Sequence, residues 1–152
     1  MKHEKYMEIA LSEAKIALDK GNIPIGACIV LDEEVISKAH NEVDSLKSDL
    51  MHAEMSAIQR VTDILVRNKR KAVIYSTLEP CAMCAGALVN VGIAQLVYGA
   101  QDKYVGAIDA LKTNEYYYKK LQNVVPGVLA HQSQDLLNHY VQKHNCRHHL
   151  SG

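Results

Sequence analysis

The chain has no Trp and no Phe, and its aromatic residues are eight tyrosines. That bias departs from ordinary usage but excludes no class of function by itself. The absence of net charge excludes more. Seventeen basic residues balance 17 acidic ones, so no global surface for a polyanion or a membrane exists, and any such partner must be held by a local patch. No apolar run approaches the 18 or so residues that would span a bilayer. The opening MKHEKYMEIALSEAK is polar and helical, without the apolar core of a secretory leader. The expected setting is therefore the cytoplasm, where the four cysteines stay reduced and serve a metal or a reaction rather than a disulfide framework. No internal repeat, low-complexity segment or linker interrupts the 152 residues. A chain of this length buries roughly 68–70% of its unfolded surface, which suits a single domain over 1–152 with a frayed tail from about residue 145.

Hydrophobic periodicity supplies the elements. Met7, Ala10, Leu11, Ala14, Ala17 and Leu18 form the stripe of a first helix that stops near Lys20, at Gly21-Asn22. Ile25 to Leu31, a turn at Asp32-Glu33-Glu34, and Val35 to Ala39 read as a β-hairpin. Its first strand is apolar on both faces, as a central strand is. After a polar loop from His40 to Asp49, Met51, Met55, Ile58, Val61 and Leu65 predict one second helix. Ala72–Thr77 and Gln95–Gly99 read as strands on either side of a third helix, Ala82–Val91, stopped by Gly92. Val124-Val125 reads as an edge strand, and Leu136 to His144 as a final helix. The alternation predicts an α/β sheet with crossover helices, about five strands and five helices in all.

Two short stretches carry chemistry. In Glu79-Pro80-Cys81-Ala82-Met83-Cys84, a strand gives way to a helix whose first turn holds two thiols. Pro is tolerated there because its missing N–H would have no intrahelical partner. The helix start favours thiolates, and the Cys-x-x-Cys spacing puts both on one face. Upstream, His52-Ala53-Glu54 also opens a helix. One His and two Cys make three protein ligands, the number a catalytic zinc takes when its fourth position is open to water. Glu54 would stand beside that water as general base. His-x-Glu followed by Pro-Cys-x-x-Cys is the pattern of the zinc nucleobase deaminases. Competing uses are a thioredoxin-like redox pair, which needs no His-x-Glu, and a structural zinc completed by Cys28, His40 or Cys146. Cys28 lies in an apolar strand and reads as an inert core thiol.

Ile23-Pro24-Ile25-Gly26-Ala27, His52-Ala53-Glu54, Thr77 to Ala87 and Val97 to Asp102 resemble the cytidine deaminase superfamily, and within it the tRNA adenosine deaminases of the TadA type. The resemblance implies a three-layer α/β/α cytidine-deaminase-like fold around a five-stranded mixed sheet, and a homodimer with one zinc per subunit. It also implies conversion of the wobble adenosine of a tRNA anticodon arm to inosine. It further implies that His52, Cys81 and Cys84 hold zinc, that Glu54 shuttles protons, and that Asn41, the Ala53 N–H and Asp102 border the substrate nucleotide. The chain departs from the family at Ser48-Asp49-Leu50-Met51, at Gln101 and at Ala107-Ile108-Asp109-Ala110, segments that shape the pocket rim.

An RNA substrate also needs basic side chains for its phosphates. The candidates are Lys69, Arg70 and Lys71, then Lys119 and Lys120, then Lys143 and Arg147 in the tail. Two alternatives stay open. One is a deaminase of a free nucleobase or nucleoside using the same zinc chemistry. The other is a non-catalytic partner subunit, which the presence of Glu54 disfavours.

Overall fold

The computed structural model describes residues 2–144; the frayed tail expected from about 145, with Cys146 and Arg147, lies outside the described residues. The sheet has the order β2-β1-β3-β4-β5, with β1 (Gly26–Leu31), β2 (Glu34–His40), β3 (Val73–Leu78), β4 (Gln95–Ala100) and β5 (Asn123–Val125). β1 runs antiparallel to both β2 and β3, while β3, β4 and β5 are mutually parallel. The sheet is thus mixed and five-stranded, as the resemblance implied.

Alternation along the central strands separates two cores. Ile29, Ile74 and Leu96 face one side, and Cys28, Val30, Tyr75 and Val97 the other. The second face is covered by α1 (Lys2–Asp19), through Tyr6, Met7, Ala10 and Leu11, and by α8 (Ala130–His144). The first face is covered by α3 (Ala53–Gln59), α4 (Thr62–Arg67) and α5 (Ala82–Asn90). These are the three layers, helix on sheet on helix.

The structure differs from the sequence expectation at five points. The hairpin turn has two residues, Asp32 and Glu33, both left-handed at φ 50° and 66°. That is the turn whose twist matches a hairpin, so Glu34 already belongs to β2. The His40–Asp49 loop contains α2 (Val43–Leu46), which begins where Asn41 Oδ1 accepts the Val43 N–H at 3.1 Å. The predicted second helix is broken into α3 and α4 at Val61, whose φ of −134° leaves the helical range; the β-branched pair Val61-Thr62 gives little helix propensity to resist it. Two further short helices, α6 (Ile108–Leu111) and α7 (Glu115–Tyr118), occupy a segment without readable period, and α8 starts at Ala130, six residues ahead of Leu136. The described residues therefore hold eight helices rather than five.

The tightest junction is where α1 crosses β1. A Cβ on Gly26 would lie 2.0 Å from the Ala10 carbonyl oxygen and 2.6 Å from the Ala14 nitrogen, both backbone atoms that cannot swing away. Gly26→Ala is expected to destabilise the fold by about 3 kcal/mol, at the upper end of overpacking costs, read as a lowered urea midpoint.

Candidate active site

Two helix starts meet above the C-terminal end of β3. β3 ends at Leu78, the chain crosses through Glu79-Pro80, and Cys81 stands at the N-cap of α5 in extended conformation. His52 stands at the N-cap of α3, also extended. α3 and α5 pack against each other, and this contact brings His52 Nδ1 to 3.6 Å from Cys81 Sγ and 3.5 Å from Cys84 Sγ. The three donor atoms lie within 4.8 Å of one another. Tetrahedral zinc, with Zn–S of about 2.3 Å and Zn–N of about 2.0–2.1 Å, needs adjacent N and S ligands about 3.6 Å apart. The donor set fits in both type and spacing.

Electrostatics agree with a cation there. The hydrogen bond from Cys84 holds Cys81 down, to about 4, with His52 adding to the effect against burial. The same hydrogen bond, then burial, pushes Cys84 upward. A neighbouring cation removes that conflict, because a coordinating thiol is deprotonated outright. His52 is raised, chiefly by its hydrogen bond to Cys81.

Glu54 is 1% exposed, and its Oε1 has no hydrogen-bond partner among the described residues. Burial pushes its carboxyl up to about 7. A carboxyl that changes protonation near neutrality, two residues from a metal ligand and with one oxygen uncommitted, suits proton transfer at the metal. Cys28 and His40 are not further ligands. Cys28 faces α1, donates to the Tyr6 carbonyl at 3.4 Å and is pushed by burial to about 12; His40 Nδ1 sits 3.1 Å from Glu13.

The other expected site residues converge here through the backbone. The Glu42 N–H donates to the Met51 carbonyl at 3.0 Å, which ties the residue after buried Asn41 to the residue before His52. Ala53 is fully buried as the first residue of α3, where its N–H has no intrahelical acceptor. Leu78 and Ala100 pair in the parallel register, so Asp102, just beyond β4, lies at the same sheet end as Cys81. Asp102 Oδ1 accepts the N–H groups of Tyr104 and Val105, while Oδ2 is buried without a partner among the described residues. Ligand sites in such sheets lie at the carboxyl ends of parallel strands.

Residues 1–100 match the model of the cytidine and deoxycytidylate deaminase zinc-binding region. The chain belongs to this deaminase family. It is 44% identical over 109 residues to the tRNA-specific adenosine deaminase of Aquifex aeolicus (strain VF5), covering 71% of this chain and 72% of that one. It is 34% identical over 145 residues to the tRNA-specific adenosine deaminase of Rickettsia typhi (strain ATCC VR-144 / Wilmington), covering 90% and 96%. A solved structure from studies of A-to-I editing by tRNA:A34 deaminases at the wobble position of transfer RNA aligns with a TM-score of 0.80 and 34% identity, over 88% of this chain and 99% of that one. His52, Cys81 and Cys84 are the zinc-binding triad of this family member.

The basic candidates are elsewhere. Lys69, Arg70 and Lys71 precede β3, and Lys119 and Lys120 precede β5, so both groups stand at the N-terminal ends of the parallel strands. Six residues of β3 at about 3.3 Å each put roughly 20 Å between them and Cys81. Lys69, Arg70 and Lys120 nevertheless share one cavity of about 120 Å³, lined also by Asn90 and Gly92. Lys143 lies in the last turn of α8. Sequence reasoning missed Glu79, a buried carboxylate whose two oxygens accept backbone N–H groups from Asp102 and Ile108, and Asn22, which exchanges two hydrogen bonds with Ser45 to pin α2. The sequence shows both polar residues, but their partners are 23 to 29 positions away.

Zinc binding can be read as stability. With free zinc 100-fold above its dissociation constant, the wild type is expected to gain about 2.7 kcal/mol. Cys84→Ala should gain none, as thermal denaturation with and without zinc would show.

Proposed function

We propose that this chain is a zinc-dependent hydrolase that converts the wobble adenosine of a tRNA anticodon arm to inosine. The observation that carries the chemistry is Glu54, buried and with Oε1 uncommitted, beside the His52, Cys81 and Cys84 donors. The substrate is supported by the tRNA-specific adenosine deaminases that the chain resembles along most of their length. When bound, zinc supplies Lewis acidity that makes water nucleophilic near neutral pH. Glu54 takes the proton released as water adds at C6, then returns protons to the ring nitrogen and to the amine that leaves as ammonia. Asn41, the Ala53 N–H and Asp102 border the flipped base and fix its orientation.

Lys69, Arg70, Lys71, Lys119 and Lys120 are proposed as grips on phosphates remote from the target base, with Lys143 and Arg147 as further contacts. Two copies assemble as a homodimer, for which Leu46, Leu50 and Val66, all more than half exposed, offer apolar surface. No helix among the described residues is long and apolar enough to cross a membrane, and free Cys28, Cys81 and Cys84 suit the reducing cytoplasm.

Glu54→Ala is expected to keep its zinc and lose at least a hundredfold in turnover on an anticodon-arm RNA, measured as inosine formed. Activity within tenfold of wild type would overturn the assignment of Glu54. Ammonia release from guanine, cytosine or free adenosine, without RNA binding at low salt, would replace the tRNA substrate with a small one. Reversing two charges with Lys69→Glu and Arg70→Glu should weaken tRNA binding and reduce the slope of log K against log salt by about 1.4–1.8.

A further inference from the structure

Glu79 is a buried acidic residue that the deamination chemistry does not use. It follows β3 directly, is 5% exposed, and stands two residues before the zinc ligand Cys81. Its Oε1 accepts the Asp102 N–H at 3.3 Å and its Oε2 accepts the Ile108 N–H at 3.2 Å. Both ends of the 102–108 segment therefore hang on one carboxylate. The middle is stitched to the ligand's own backbone: Gly106 pairs with Cys81 as an isolated bridge, and the Ala107 N–H donates to the Pro80 carbonyl at 3.0 Å.

The fit admits no extra atom. A Cβ on Gly106 would stand 2.5 Å from Glu79 Cδ, 2.6 Å from its Oε1 and 2.5 Å from the Asp102 carbonyl oxygen. Inside this frame Asp102 turns its Oδ1 back onto the Tyr104 and Val105 N–H groups. Its Oδ2 is left buried without a partner among the described residues, a costly arrangement unless a ligand supplies a donor.

We propose that Glu79 is a positioning residue for substrate binding: it sets the Asp102–Ile108 loop against the zinc ligand Cys81, so that Asp102 meets the substrate nucleotide in a fixed place. The proposal rests on Asp102 bordering the substrate, as proposed above. Only a carboxylate does this work. A Gln side chain has one acceptor oxygen and turns an NH₂ toward the second backbone N–H, and an Asp is one methylene too short to reach both.

The test compares wild type, Glu79→Gln, Asp102→Ala, the double variant and Gly106→Ala. The readouts are zinc content, kcat and KM on an anticodon-arm RNA, and RNA affinity by fluorescence anisotropy. Glu79→Gln is expected to keep one zinc per chain and a kcat within threefold of wild type, while KM and the RNA dissociation constant rise at least tenfold. The double variant should be no worse than Asp102→Ala, since the two act through one contact. Gly106→Ala presses on the carboxyl from the loop side and should raise KM likewise, which keeps the test open if Glu79→Gln does not fold.

Loss of zinc and kcat together in Glu79→Gln, with KM unchanged, would overturn the proposal and make Glu79 a support of the metal site. A raised KM in Asp102→Ala but not in Glu79→Gln or Gly106→Ala would overturn it while leaving Asp102 at the substrate. An unchanged KM in all the variants would overturn both assignments.

Discussion

The site depends on α3 and α5 starting at the same point above the sheet. Neither helix supplies a zinc ligand set by itself: α5 brings two sulfurs and α3 one nitrogen. The buried residues near the two starts include Ala53 and Ala57 on α3 and Ala85 on α5, beside Glu54 and Cys84. The separation of packed helices follows the size of the side chains at their contact, and small residues near both starts suit a close approach. The strands hold the arrangement from below. β1 pairs with β3 and β3 with β4, which leaves the chain after β3 and the chain after β4 side by side under the two helix starts.

Burial then sets the chemistry. Cys84 is fully buried and Glu54 nearly so, and low-dielectric surroundings disfavour an isolated charge on either. Among the protein groups alone, the protons are shared unevenly, with Cys81 lowered and Cys84 and Glu54 raised. A dication held by His52, Cys81 and Cys84 would answer the same problem differently, pairing with both sulfurs and leaving Glu54 free to exchange a proton. The burial that makes the carboxyl basic thus also selects a metal over a pair of free thiols. A redox couple would instead want at least one accessible thiol, and Cys81 and Cys84 are both buried.

The legible parts were those whose signal is local. His52-Ala53-Glu54 and Cys81-Ala82-Met83-Cys84 are short segments at helix starts, and a helix start places its own first residues without reference to the rest of the chain. The stripe of α1 and the apolar runs of β1, β3 and β4 were readable for the same reason. Glu79 was not, because beside Pro80 it reads as an ordinary polar residue at a strand end. Its meaning lies in two N–H groups more than twenty positions away. α2 was hidden likewise, since Ser45 is held by Asn22, 23 positions away in the turn after α1. The break at Val61 was hidden for a different cause: the apolar period runs through it unbroken, and only the backbone changes course.

The placement of the cations follows from topology and bears on the choice of substrate. Parallel pairing of β3, β4 and β5 puts whatever follows a strand at one end of the sheet and whatever precedes it at the other. Cys81, Cys84 and Asp102 follow strands; Lys69 to Lys71, Lys119 and Lys120 precede them. A neutral chain has thereby separated its chemistry from a cluster of positive charge without carrying any excess of it. A free base or nucleoside is far shorter than the roughly 20 Å of β3 and can meet only the zinc end. A folded RNA is long enough to meet both, and its affinity would then carry a salt dependence that a small substrate has no means of acquiring.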